Sequence, residues 1–574
     1  LYFGSICIEN FLGLTYKLLS DGVFFKRVKN LFRPRSIEHI EELKKAEVRK
    51  NQKKQLEEEF LQQCLSKKHD PSFKLDPKIE PYLTTLKSLA ANSKHIDNAK
   101  QKDLKTLTPL LCEKLDIEIR GDRNDQAYKI LKAINEISSQ TNPSIFRYNP
   151  KLNFSEKAFK EIDYIKNSIK AICDNNTQRL DLRHLDSITI DDISTLDMDD
   201  AFSLEKKNNG YQLGIHISDV ASAVKNNSEL DLEARERATS VYLPEQTINM
   251  LPEEISNDLC SLVVGKDRLS ISCICQLDSM LNFISAEIKP SIIRVTQKYT
   301  YDEVDKLLEH DEGMLLQLYN IALSNEATRF ANGGTRIPKQ IAQFSVSESG
   351  QITKKDIDEN SPARALVGEL MILANTVFAN FAIENNLPAF FRSQEAPNDD
   401  TLINPDIPEG PAYSYAIKSR LKKSTTSFSP APHHTLGVDA YLQATSPIRR
   451  YLDLILQRQF LHFLETQEVL FSESELTEII TLIENSVRIA NSLTRESIKF
   501  WSLKWLKQNK RVGTTIKATV LRNDLKNPMI ELDELYAPWI FKTNKKLKPG
   551  QVVDLKIHLC DPWKEYLKLE LHNS

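Results

Sequence analysis

Between residues 183 and 205 the chain reads RHLDSITIDDISTLDMDDAFSLE, and Asp191, Asp197, Asp199 and Asp200 fall within ten positions of one another. They are set among Ile188, Ile190, Ile193 and Met198. Carboxylates folded together in such surroundings repel one another and lose hydration, so a cation belongs among them. An all-oxygen ligand set suits a hard ion, Mg²⁺ or alternatively Mn²⁺, better than Zn²⁺. A pair of such ions about 4 Å apart is a common device for in-line attack on a phosphodiester. An EF-hand is excluded, because its loop needs alternating oxygen ligands, a central Gly and a terminal Glu, and no Gly follows Asp200 until Gly210. On these residues alone a solvated acidic loop stays open as the alternative.

The stretch DLRHLDSITIDDISTLDMDDAFSLE, followed by YQLGIHISDVASAV, resembles the signature of the ribonuclease II (RNB) family of hydrolytic exoribonucleases. Three further segments resemble the same family in the same order: SVYLPEQTINMLPEEISNDLCSL from Ser240, GELMILAN from Gly368 and HHTLGVDAYLQATSPIRRYLDLILQRQF from His433. The resemblance runs from about residue 178 to the C-terminus and fades upstream. It implies a 3′–5′ exoribonuclease that degrades single-stranded RNA to nucleoside 5′-monophosphates. The alternative is a catalytically silent RNA-binding regulator on the same fold, whose mark would be a missing aspartate or arginine; every one is present.

The chain has 574 residues, enough for several domains. With 41% hydrophobic and 27% charged residues it reads as an ordinary globular protein. A net charge of -3 announces no polyanion partner, so RNA binding has to be local. The eight cysteines are scattered without a CxxC pair, which argues against a zinc ribbon or a disulfide framework and favours reducing cytoplasm. No apolar run approaches transmembrane length, and no signal peptide is visible. The expectation is a cytoplasmic monomer without membrane contact, or an organellar protein if a targeting segment precedes residue 1.

The fold class expected is multidomain α+β: a helical N-terminal module, a central RNB catalytic domain of mixed sheet with helices, and a C-terminal OB-fold β-barrel. Residues 1–35 read as the remnant of a protease-cleavable tag (LYFGS) and a small β element. Residues 36–70 read as a long charged helix with Ser36 as N-cap. Residues 71–165 read as a helix-turn-helix or winged-helix-like module, with a Pro- and Asn-rich linker at 141–154. The catalytic domain spans 166–508 and the barrel 509–574, where Ile516, Ala518 and Val520 begin an alternating pattern. The cold-shock domains that commonly open chains of this family are not found.

Taken residue by residue, the resemblance makes Asp191, Asp197, Asp199 and Asp200 ligands of Mg²⁺, with Asp197, Asp199 and Arg449 catalytic. Tyr242 and, by a looser match, Phe344 fall where the family stacks aromatics on nucleotides. Glu369 matches a glutamate lining the RNA channel, Arg392 is a candidate phosphate contact, and Arg450 stands beside Arg449. Ser446 reads as a helix N-cap with Pro447 at the first helical position, which would place both arginines at an anion-binding helix start. His216 reads as a hydrogen-bonded core histidine. Lys542, Lys545, Lys546 and Lys548, with Trp539 and Phe541, read as an RNA-binding surface on the barrel.

Overall fold

The computed structural model describes residues 8–572 apart from 30, 95–97, 119–120, 176–177, 311–312 and 398–405; the LYFGS opening lies outside the described residues. The chain divides into two compact units, Leu1–Asn149 and Pro150–Ser574.

The first unit is mostly helical. Where the sequence suggests only a small β element, Ile8–Ser20 is a helix, and the β element is the hairpin of Phe25–Val28 with Leu31–Pro34. The correction has a simple cause: Phe11, Leu12, Leu14 and Leu18 recur at helical rather than alternating spacing. The 33-residue helix Ile37–His69 starts as expected, with the Ser36 hydroxyl accepting from the His39 N–H. It buries only Phe60 and Cys64, and Phe60 stacks on Tyr82. Helices Glu80–Ala90, Asn98–Lys114, Arg123–Ala133 and Pro143–Tyr148 complete the unit, the last ending at Asn149 in the left-handed conformation.

The second unit is organised by a sheet that curls back on itself. Strand Phe283–Thr300 pairs along its first part with Asp267–Leu277, antiparallel, and along its last part with Ser187–Asp191, parallel. The ring is completed through Asp200–Lys207 and Gly210–Ser218. Ile188, Phe202, Ile215 and Ile217, on one face of the sheet, share a core with helices Glu156–Asn175, Pro362–Glu384 and Tyr451–Thr466. His216 lies within this sheet, fully buried between the hydroxyls of Ser203 (2.9 Å) and Ser272 (2.7 Å), the core histidine expected.

Helix Pro362–Glu384 corrects the reading that no run reaches membrane length. Its 23 residues hold an 18-residue window, of mean hydropathy 1.7, and are long and apolar enough to cross a bilayer. Here 56% of that window is buried, with Leu366, Leu370 and Leu373 in the core.

A second core lies under the C-terminal sheet. Its strands run in the order Ala537–Ile540, Met529–Leu532, Thr515–Arg522, Val552–Asp561, Tyr566–Leu571. That is the strand order of an OB fold, and no pairing joins the two edge strands among the described residues, so the barrel is a half-barrel. The hairpin Gln340–Val346 with Ile352–Asp358 joins this core, together with Phe500, Trp501 and Leu506 from the end of helix Glu473–Gln508. Phe541 is 2% exposed within it, so it is a core residue and not part of an RNA-facing surface.

Candidate active site

Asp191 ends strand Ser187–Asp191 and Asp200 opens strand Asp200–Lys207, its antiparallel neighbour. The loop between them therefore returns to the same end of the sheet, carrying Asp197 and Asp199 with it. Met198 anchors the loop: its side chain is 5% exposed, its N–H donates to the Ser261 hydroxyl (3.0 Å), and its carbonyl accepts from the Leu262 N–H (3.1 Å). The apolar residue inside the acidic run thus fixes where the acids point.

Asp199 is 4% exposed, and both of its oxygens accept hydrogen bonds. Oδ1 takes the Ile448 N–H at 2.9 Å and Oδ2 takes Arg449 Nε at 3.1 Å. Burial raises its pKa to about 7, against the pull of Arg449, yet two donors on one carboxylate serve its ionised form. Arg449 also donates to the Ser446 hydroxyl (2.8 Å), and its side chain stays 41% exposed. Asp453 binds the next layer, accepting from the Ser446 N–H (3.0 Å) and from Arg450 Nε (3.0 Å) and Nη2 (2.6 Å). The ATSPIRRY segment is thereby tied to the acidic loop about 250 residues earlier in the chain.

Asp191 and Asp200 form the costly pair. Burial, opposed by Lys298 and reinforced by Asp197, raises Asp191 to about 6. Burial and the charges of Asp191 and Asp199 push Asp200 well above the ordinary carboxylate range. Asp197 accepts from the Tyr242 hydroxyl, while the Tyr242 ring remains 42% exposed. Among the described residues no group of three or more His, Cys, Asp or Glu side chains stands in metal-binding geometry. Two of the four expected ligands already carry a side-chain partner, Asp199 from Arg449 and Asp197 from Tyr242. The donor chemistry fits a hard cation at Asp191 and Asp200, since two half-buried, mutually repelling carboxylates lose both penalties when one divalent ion lies between them.

Three neighbours escape sequence reasoning. Lys298 donates to the Thr195 carbonyl (2.5 Å) and lowers the Asp191 pKa. Arg364 pairs with Asp192 (2.8 Å) and lies 4.1 Å over the Tyr301 ring. Tyr301 is held above its ordinary pKa by burial and by Asp200 and Asp191. Their signal is the parallel pairing of Thr300 with Asp191, more than a hundred positions apart in the chain.

Other expected positions are corrected. Ser446 is not an N-cap: helix Tyr451–Thr466 starts five residues later, with Arg450 extended as its cap. The Ser446 hydroxyl is taken by Arg449 and its N–H by Asp453, whose negative charge sits in the first turn of that helix. Phe344 is 6% exposed, its ring edge on Trp505 at 6.2 Å, so packing leaves no face for a base. Glu369 is 5% exposed and accepts from Arg329 Nε (2.9 Å) and Asn325 (3.0 Å), which makes it half of a buried ion pair and not a channel wall. The Arg392 guanidinium donates only to the neutral Gln443 (3.3 Å) and Ser424 (3.3 and 3.4 Å) among the described residues. Glu395, three positions on, pairs with Lys422 (2.6 Å).

The RNB domain matches residues 179–466. A ribonuclease of Synechocystis sp., itself uncharacterized, is 34% identical over 405 residues, which is 69% of this chain and 60% of that protein. Ribonuclease II of Arabidopsis thaliana, described as chloroplastic/mitochondrial, is 27% identical over 532 residues, 88% of this chain and 65% of that protein. The chain thus spans less than two thirds of the length of either relative. Among solved structures, an active-site mutant of the Dss1 exoribonuclease from Candida glabrata superposes with a TM-score of 0.71 at 22% identity, covering 90% of this chain and 70% of that one, so the fold is shared. With the acidic loop, the arginine segment that binds it and the curled sheet all inside the matched region, the chain belongs to the RNB-domain family.

Proposed function

We propose that the chain is a hydrolytic 3′–5′ exoribonuclease acting on single-stranded RNA and releasing nucleoside 5′-monophosphates. The observation that carries this reading is the Asp199–Arg449 contact beside the half-buried Asp191–Asp200 pair. It joins a cation-seeking group to a fixed guanidinium, the two charges that phosphodiester cleavage needs. Asp191 and Asp200, with Asp197 and Asp199 adjacent, would hold Mg²⁺, which would supply Lewis acidity and lower the pKa of the attacking water.

The chain's own residues do the remaining work. Arg449 is oriented by Asp199 and Ser446, and Nη1 makes no hydrogen bond among the described residues. That nitrogen is suited to donate to a phosphate oxygen as charge builds there. Arg450 and Arg392 extend the cationic surface for neighbouring phosphates. The exposed Tyr242 ring offers a stacking face beside Asp197 that accepts any base. The name of the Arabidopsis relative supports an organellar setting, and the buried free cysteines are compatible with a reducing one.

The test is a ladder of end-labelled RNA oligomer incubated with Mg²⁺ and then with EDTA. Shortening from the 3′ end to monophosphates with Mg²⁺, and none with EDTA, is expected. Asp199→Asn should fold and bind RNA yet hydrolyse it about a hundredfold more slowly or worse. Unchanged turnover in that variant would overturn the assignment.

A further inference from the structure

A cleft of about 480 Å³ lies against the hairpin that carries Tyr242, with Thr247 and Ile248 of its second strand on the lining. Thr247, on its lining, is the cross-strand partner of Tyr242. Three primary amides, Asn153, Gln246 and Asn249, line it, and none of them makes a side-chain hydrogen bond among the described residues. Phe154 and Phe159 supply aromatic surface, in edge contact at 6.4 Å, and the Phe159 side chain is 44% exposed.

The floor is held in place. Arg237 lies 3.8 Å over the Phe154 ring and donates to the carbonyls of Asn153 (2.7 Å) and Lys151. No lining side chain is basic, and Glu253 and Glu254 are exposed on the lining, so the cleft itself suits an uncharged group such as a base and not the phosphates that flank it. An uncharged planar ligand with donors and acceptors on its edge is what this surface complements: aromatic carbon takes the face and amides take the edge. The volume lies within the range of small-ligand clefts.

Resting on the RNA-degrading function proposed above, we infer that this cleft is a nucleobase subsite, which takes an unstacked base of the single strand near the base stacked on Tyr242. The Tyr242 ring is indifferent to sequence, whereas the amides read a base edge. The subsite therefore gives an otherwise sequence-tolerant enzyme a base preference at one position.

The full chain in EDTA, which prevents hydrolysis, is titrated with fluorescent oligomers in which a single abasic site is moved one position at a time from the 3′ end. Wild type should bind about tenfold more weakly when one interior position lacks its base, beyond the loss attributed to Tyr242. Phe159→Ala and Asn249→Ala, both at the surface of the cleft, should abolish that position's effect and leave the Tyr242 position unchanged. Substituting each of the four bases at the same position should give unequal affinities in wild type and equal ones in Asn249→Ala. If RNA is bound and degraded but the scans of wild type and both variants superimpose, the subsite is overturned and the nuclease stands. If wild type neither binds nor degrades RNA, both fall together.

Discussion

Tyr242 holds two separable roles in one side chain, a hydroxyl bound to Asp197 and a half-exposed ring. Tyr242→Phe keeps the ring and frees Asp197, whereas Tyr242→Ala removes both. If the ring grips the shortening RNA, Tyr242→Ala forfeits roughly 1 to 3 kcal/mol of stacking and releases longer limit products, while hydrolysis of long RNA continues. Tyr242→Phe should then give wild-type limit lengths with an altered rate. Resolving end products of the three proteins on one oligomer checks this, and identical lengths in all three would remove the stacking role. His216 makes a prediction of another kind. Burial lowers its pKa to about 3, from an ordinary value near 6.5. Between those values the unfolded chain takes up a proton that the folded one refuses, so stability is complete above pH 6.5 and is lost as pH falls. The slope from this residue is about 1.4 kcal/mol per pH unit. Urea unfolding of wild type and His216→Asn at pH 7 and pH 5 should show the variant losing less between the two.

Among the elements, those set by local chemistry were legible and those set by distant partners were not. The acidic loop could be read because its carboxylates and Met198 alternate within one short run, and helix Ile37–His69 because Ser36 and an unbroken Glu, Lys and Gln pattern define it. The start of helix Tyr451–Thr466 misled, since Ser446 and Pro447 carry the local marks of a helix start. Arg449 and Asp453 claim the serine instead, and Asp199 lies about 250 positions away. The hairpin Gln340–Val346 with Ile352–Asp358 shows the same limit. Nothing in QFSVSESG announces that its core partner is Trp505, so Phe344 read as a stacking residue when it is packing. Phe344→Ala should accordingly cost about 3 to 5 kcal/mol of stability, the range for a buried Phe. Where the variant is still folded, its affinity for RNA should match wild type, and thermal melting with RNA titration on the same sample checks both. A weakened affinity at full stability would restore the stacking role.

At the scale of the whole molecule, the division at Asn149 and Pro150 decides what a truncation removes. Sequence reasoning placed the end of the helical module at residue 165, inside helix Glu156–Asn175. That helix belongs to the second unit: Ala158, Ile165, Ile169 and Cys173 are in its main core, with Phe154 and Ile162 packed against it. Glu161 also accepts from the backbone N–H groups of Glu229 and Leu230, closing the start of the next helix. A chain beginning at residue 166 loses Ala158, Ile162, Ile165 and that carboxylate together. Each buried aliphatic removed costs on the order of 1 to 4 kcal/mol, and the sum approaches the stability of an ordinary domain. A chain beginning at Pro150 loses none of them, because the residues of both cores lie between Phe154 and Leu571. The expected outcome is that residues 150–574 melt cooperatively and hydrolyse short single-stranded oligomers within a few-fold of the full chain, whereas residues 166–574 do not fold. Calorimetry and the labelled-oligomer ladder, run on both truncations, give the answer. A folded but inactive chain from Pro150 would move part of the catalytic requirement into the helical unit, and a folded chain from residue 166 would overturn the role given to helix Glu156–Asn175.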